Sequence, residues 1–232
     1  MPLNQRVGPA LQRGLSLVEL MVGITVGLFV LAGATLLVST QLGDNRRLLL
    51  ETQVQQDLRA SMDIMTRELR RAGSSADSAA NNVWQPGFTG AQPNALAAIT
   101  LAADGKSIVF RYRRGGAEGP YGFRWDEDGG RIQTQVGAGN WQELTDANVM
   151  QVTNFSVVAE DEVVEQLPCA RACSVDPTDT ACWPTLTVRT YSLTLAVQST
   201  ADPAVQRSQS SRVRLRNDLL GFNGAPGVLC PA

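Results

Sequence analysis

The chain is 232 residues long, room for one globular domain plus an appendage rather than for two full domains. Lys and Arg number 20 against 22 Asp and Glu, a formal net charge of -2, so the basic excess of a dedicated nucleic-acid-binding domain is missing. There is no histidine, which removes Ser/His and Cys/His nucleophile pairs, imidazole-ligated zinc and an imidazole acid/base together; catalysis would have to rest on carboxylates, Tyr, Cys or Lys106, the one lysine.

The first 14 residues, MPLNQRVGPALQRG, form a short polar leader made basic by Arg6 and Arg13, with no apolar core of its own. From Leu20 to Leu42 no residue is charged, the run of about 20 that a helix needs to cross a bilayer. An ordinary signal peptide is cut beyond its apolar run, at a small-x-small site. Here the expected cut precedes the run.

Glu19 sits one turn inside this apolar segment, where an ionised carboxylate costs ~2.5 kcal/mol or more at membrane depth. It needs a partner. If the chain is cut after Gly14, Leu15 becomes the N-terminus and Glu19 the fifth residue, so the α-ammonium of one subunit can neutralise the Glu19 carboxylate of its neighbour in an apolar bundle. The competing reading is an uncleaved single-pass anchor. Loop charges do not decide the orientation, since Arg46 and Arg47 balance Arg6 and Arg13.

After Asp44 the pattern turns amphipathic. Val54, Leu58, Met62, Met65, Leu69 and Ala72 recur at steps of three or four, while Arg59, Asp63 and Arg67 share another face. Arg70 and Arg71 followed by Gly73 make a helix C-terminus, so one helix over 15–72 is expected, about 87 Å long. The division is a leader over 1–14, a membrane or filament-core half over 15–42, an amphipathic half over 43–72 and a head over 73–232.

Residues 74–95 carry Ser, Ala, Asn, Gly and Pro without a period and read as a surface loop, tacked down by Trp84 and Phe88. Alternating patterns then predict strands at Ile108, Phe110 and Tyr112, at Phe123 and Trp125 before a hairpin at Asp128-Gly129 and a strand at Ile132, at Thr153, Phe155 and Val157, at Tyr191, Leu193, Leu195 and Val197, and at Val213 and Leu215. A helix followed by antiparallel strands is an α+β fold, with the sheet laid on the helix's apolar stripe.

Cys169, Cys173, Cys182 and Cys230 all lie in the last third of the chain. An even number confined to one region suits disulfides in an extracytoplasmic domain; the competing four-thiolate zinc site is disfavoured because no CxxC pair occurs. DEDGG at 126–130 offers half of a calcium loop, but without the bidentate Glu further on it reads as turn chemistry, and no metal is expected. Residues 143–182 hold eight acids against Arg171, whereas 189–218 holds five Arg against two Asp, an asymmetry suited to subunit docking or simply to a solvated face. Arg111, Arg113, Arg114 and Arg124 are candidates for DNA phosphates, though arginines on an exposed strand face need no such role.

RGLSLVEL with the apolar run behind it resembles the class III signal of type IV pilins and of type II secretion pseudopilins. The resemblance implies a prepilin peptidase that cuts between Gly14 and Leu15, N-methylation of Leu15, and Glu19 as the subunit-docking carboxylate. Leu15 stands where the family usually has Phe, and no proline kinks the helix near Leu36. VQQDLRASMDIMTRELRRAG, WQELTDANVMQVTNFSV and SSRVRLRND are similar to the helix end, middle strand and closing strand of PilW-type minor pilins and of J-type pseudopilins; the 169–182 insertion has no counterpart there.

The resemblance implies the type IV pilin-like fold and a non-catalytic structural subunit without cofactor, part of a tip or priming complex from which a pilus grows. Implied partners are the prepilin peptidase, other minor pilins and the major pilin, the assembly platform and the inner membrane, with the head in the periplasm and the assembled protein at the cell surface. Twitching motility, adhesion or DNA uptake would lie downstream. The alternatives are a J-type pseudopilin and an adhesive or ligand-binding head on a pilin frame.

Overall fold

A computed structural model describes Gly14, residues 16–75 and residues 94–221. Leu15, Trp84, Phe88, Cys230 and most of the 74–95 loop lie outside the described residues. The chain divides into two compact units, Met1–Leu48 and Leu49–Ala232. Helix α1 (Leu17–Leu69) contributes to both. From Leu20 to Leu42 its side chains carry no charge, are mostly apolar on every face and are exposed, and α1 is long and apolar enough to cross a membrane.

The second unit is α+β, with the helix packed on antiparallel sheets. Val54, Leu58, Met62, Met65, Leu69 and Ala72 are all buried, so the stripe read from the sequence is the face that packs. The helix itself is shorter than 15–72 at both ends. Beyond Leu69 the bonds shorten to three-residue steps, Arg71 N–H to Glu68 O at 3.0 Å and Ala72 N–H to Leu69 O at 3.0 Å, and Gly73 adopts φ +78°. Other segments then take up the terminal carbonyls. Asn217 Nδ2 donates to Ala72 O at 3.0 Å, Asn94 Nδ2 to Gly73 O at 2.7 Å, and Arg216 N–H to Arg70 O at 3.2 Å.

The head holds three sheets where the sequence pattern predicts one, and the first two cover the stripe. The first is β1 (Ile99–Leu101), β2 (Ser107–Phe110), β3 (Tyr121–Asp126), β4 (Arg131–Val136) and β5 (Gln142–Glu143), in chain order. The second places β9 (Thr190–Ser199) between β6 (Met150–Ala159) and β10 (Gln206–Arg214). The third places β8 (Thr185–Val188) between β7 (Val163–Gln166) and β11 (Leu219–Gly221). Every pairing between these strands is antiparallel. The helix stripe, Ile108, Phe110, Phe123 and Ile132 of the first sheet, and Phe155, Leu193, Leu195 and Val213 of the second form one apolar cluster. Gly122 on β3 is required by a close approach, because a Cβ there would lie 2.7 Å from Ile108 O.

The middle strand departs from simple alternation. Thr153, expected to share a face with Phe155 and Val157, is exposed, because the pairing of β6 with β9 shifts register between Val152 and Asn154. The extra residue is a β-bulge, which returns Met150 and Val152 to the same buried side as Phe155 and Val157. β6 also ties the sheets together, through Val152 N–H to Gly130 O at 2.8 Å and Val157 N–H to Gly105 O at 2.8 Å.

The bulge separates two neighbouring substitutions. Phe155→Ala should destabilise the head by about 3–5 kcal/mol, whereas Thr153→Ala should stay within about 0.5 kcal/mol of wild type. Urea unfolding of the full chain in detergent, followed by Trp fluorescence, compares them.

Candidate functional site: the membrane helix and the head surface

The N-terminal candidates lie on the first unit. Gly14 is exposed, and a Cβ built on it would meet nothing within 4 Å. Leu20 N–H donates to Ser16 O at 3.0 Å, which starts the helical ladder at Ser16. Glu19 therefore falls in the first turn of α1, where its charge sits favourably against the positive end of the helix dipole. It is exposed, as are the flanking Leu17, Val18 and Leu20.

The threonines of the run satisfy their own hydroxyl protons. The hydroxyls of Thr25, Thr35 and Thr40 donate to the carbonyls of Met21, Leu31 and Leu36, at 3.1, 2.7 and 3.0 Å, so no hydroxyl proton among these threonines is presented bare to lipid. Leu17 is 74% exposed, Phe29 81% and Leu36 71%. Apolar surface of this extent has no solution in water, only in a bilayer or among other helices.

The cysteine insertion lies far along the chain from this segment. Cys173 and Cys182 are joined in a disulfide, and Cys169 is disulfide-bonded as well. Trp183 Nε1 donates to Arg171 O at 3.0 Å and Cys173 N–H to Asp179 O at 2.8 Å, so the loop is held by its own contacts. Asp176 accepts from the backbone N–H and hydroxyl of Thr178, which lowers its carboxyl below the usual range. Among the described residues no group of three His, Cys, Asp or Glu is placed to hold a metal.

The acids of the DEDGG turn have structural employment. Asp126 Oδ2 accepts from Arg131 Nε at 2.9 Å and Oδ1 from Gly129 N–H at 3.2 Å, and these two donors hold its carboxyl below the usual carboxylate range. Glu127 pairs with Lys106 Nζ at 2.7 Å. Of the arginines considered for phosphate contact, Arg124 stacks over Trp141 at 4.6 Å and donates to Gln133 at 2.7 Å, so it is engaged within the sheet. Arg113 and Arg114 instead join Arg70, Arg71 and Arg216 around one cleft of about 410 Å³. In its wall the buried Tyr112 hydroxyl donates to Glu68, which also accepts from Arg71 at 3.1 Å. Burial, then the bond to Glu68, raises the Tyr112 phenol above its ordinary value.

The sequence pattern did not reveal Arg189, which is buried at 6% exposure and donates through Nη1 to Ala97 O at 2.6 Å and through Nη2 to Asn217 O at 3.4 Å. Its signal was weak: one Arg between the short apolar runs of β8 and β9.

An exposed apolar helix with an acid in its first turn, followed by a helix end packed on antiparallel sheets, defines a pilin-like, membrane-anchored subunit. Residues 10–35 match the prokaryotic N-terminal methylation motif, and residues 47–215 match the family described as prepilin peptidase-dependent protein B. The chain belongs to the prepilin peptidase-dependent protein B family, within the type IV pilin-like proteins. Proteins of this class are structural, non-catalytic subunits that a prepilin peptidase processes and that assemble with other pilins. No curated protein and no solved structure matches the chain.

Two outcomes follow from the head's chemistry. Replacing Cys173 and Cys182 together by Ser reopens a loop of sequence separation 9. The chain-entropy relation puts that at about 2–3 kcal/mol, read as a lowered urea midpoint in the full chain. Tyr112 and Tyr191 are both raised, mainly by burial, so the folded state favours the neutral phenols. Their contribution is complete below the unfolded value of about 10 and is lost as pH rises through the folded values. Stability measured from pH 9 to 12 should therefore fall, and less steeply in Tyr112→Phe.

Proposed function

We propose that this protein is a PilW-like minor pilin, an inner-membrane prepilin cut after Gly14 and methylated on Leu15, whose head lies in the periplasm and which joins the tip or priming complex of a type IV pilus. The observation that carries the reading is Glu19 in the first turn of an apolar helix whose faces are all exposed, five residues beyond Gly14. A carboxylate there is a burden to an anchor and an asset to a subunit. In an assembled bundle it accepts the α-ammonium that cleavage creates on Leu15 of a neighbour, and each charge neutralises the other away from water.

Processing comes first. Gly14 leaves the backbone open to a peptidase, and Gly14→Val fills that approach and should leave the leader attached. The intact mass of the membrane-extracted protein reads both the cut and the methyl group; wild-type protein found in filaments with residues 1–14 still in place contradicts the proposal.

Docking comes second. Glu19→Leu removes a desolvation cost, so insertion and cleavage should be unchanged or improved, while the unpaired neighbouring ammonium penalises assembly by ~3 kcal/mol or more. Co-purification with the other pilins should then fall by about a hundredfold. Wild-type incorporation of Glu19→Leu would show that this carboxylate is not the docking group. Deletion of the gene, scored separately for surface pili and for protein secretion, distinguishes the pilus from the type II system, whose J-type pseudopilins share the signal. Loss of pili with intact secretion is the expected result.

A further inference from the structure

Five guanidinium groups surround the cleft at the C-terminal end of α1, and the carboxylate beside them, Glu68, is already bonded to Arg71 and Tyr112. Arg70 and Arg71 have an ordinary explanation, since cations in the last turn of a helix complement its dipole. Arg113 and Arg114, which follow β2, and Arg216, between β10 and β11, come from other segments, Arg114 being drawn in by its bond to the Tyr112 hydroxyl beside Glu68. Arg216 is fixed there by its backbone bond to Arg70 O. Neither Arg70 nor Arg216 has an ion-pair partner among the described residues. Like charges gathered round one concavity repel one another and raise its affinity for an anion.

The complementary feature is the corner between β6 and β7. Glu160 is used internally, by Arg212 and by the Ser192 hydroxyl. Asp161, Glu162 and Glu165 are exposed and have no ion-pair partner among the described residues. Beside them Val163 is 54% exposed and Val164 58%, on a strand open on both faces. Carboxylates next to exposed valines on an edge strand, whose outer side is open, are an interaction surface rather than a solvated one.

The topology places the two features apart. β7 and β11 are the opposite edges of the third sheet; the acidic corner leads into β7, and Arg216 leads towards β11. Two strand spacings, about 10 Å, separate the edges. A surface whose complement lies on the opposite edge of the same sheet makes a head-to-tail contact between copies, in which two different patches meet, rather than a two-fold one.

We propose that the arginine cleft formed by Arg70, Arg71, Arg113, Arg114 and Arg216 is the docking site for the acidic corner Asp161–Glu165 of a second copy of this chain. Guanidinium forks match carboxylates two bonds at a time, and the valines add apolar area to the seam. A nucleic-acid strand is the poorer occupant: Tyr112, the aromatic residue of the cleft, is buried and offers no base a stacking face, and the acidic corner across the same sheet repels a polyanion. The contact rests on the chain's being a pilin subunit that assembles through its head, and goes further by naming the surfaces that meet.

The test uses the full chain purified in detergent, with a benzophenone amino acid in place of Val164. Irradiation should crosslink two copies, and peptide mapping should place the adduct within residues 70–74, 111–114 or 214–217. Arg70→Glu with Arg216→Glu should reduce the crosslink by about tenfold or more, as should Asp161→Arg with Glu162→Arg. Each pair is checked for folding by its urea midpoint. Mixing the two reversed chains restores opposite charges across the seam and should restore the crosslink, a recovery that misfolding cannot mimic.

A crosslink that maps elsewhere, reversal without effect, or a mixture that stays silent while both chains are folded overturns the contact. So does a corner that crosslinks only to a different pilin when co-purified partners are added. Processing of the same preparation is read separately from its N-terminal mass. Uncut protein that still crosslinks removes the pilin reading and leaves the contact, whereas correctly cut protein without the crosslink does the reverse.

Discussion

Everything in the head depends on the burial of one helical stripe, Val54 to Ala72, beneath sheets that have no other helix to pack on among the described residues. A sheet with one apolar face must cover that face, and here two of the three sheets solve the problem on the same stripe. That constraint explains why the helix end is so heavily held. Asn217, Asn94 and the backbone of Arg216 each take a terminal carbonyl, so the end of the helix is joined to the loop before β1 and to the connection between β10 and β11. The buried Arg189 adds two more carbonyls, from Ala97 and Asn217, to the same junction.

The N-terminal half of α1 works by the opposite rule. Apolar on every side, with threonine hydroxyls turned back onto the preceding turn, it has no inner and outer face until lipid or another helix supplies one. Glu19 is the single interruption of that logic between Leu17 and Leu42. A buried charge is stabilised when its counterpart arrives, and the cost of a missing counterpart makes assembly selective. The same segment therefore serves as anchor before assembly and as adhesive within it, in the proposed reading.

Charge is used differently on the head. Most of its ion pairs are local, such as Asp126 with Arg131 across a hairpin and Arg214 with Asp218, at 2.9 and 3.1 Å, while Glu51 with Arg207 joins helix to strand at 2.7 Å. Ion pairs that solvent still reaches contribute little to stability, and their effect is to hold turns and edges in register. The arginine cleft and the β6–β7 corner stand outside that local pattern, with like charges grouped and their complements a sheet width away.

Some of this was legible in one dimension, for a physical reason: the apolar run, Glu19, the stripe and the Gly73 terminus are all local patterns, in which spacing along the chain is spacing in space. Strand alternation at Tyr191 to Val197 was equally readable, because β9 is buried on one face along its whole length. What the sequence left undecided were matters of partner and phase. The bulge at Thr153 depends on β9 opposite it, so a residue that alternation put inside lies outside. The short strands β5, β7, β8 and β11 carry too few residues for a period and exist because a neighbour's backbone satisfies theirs. Which cysteines join, which arginine is buried, and which five arginines share a cleft were settled by residues as far apart in the chain as Arg70 and Arg216 meeting in the fold, information that no local spacing contains.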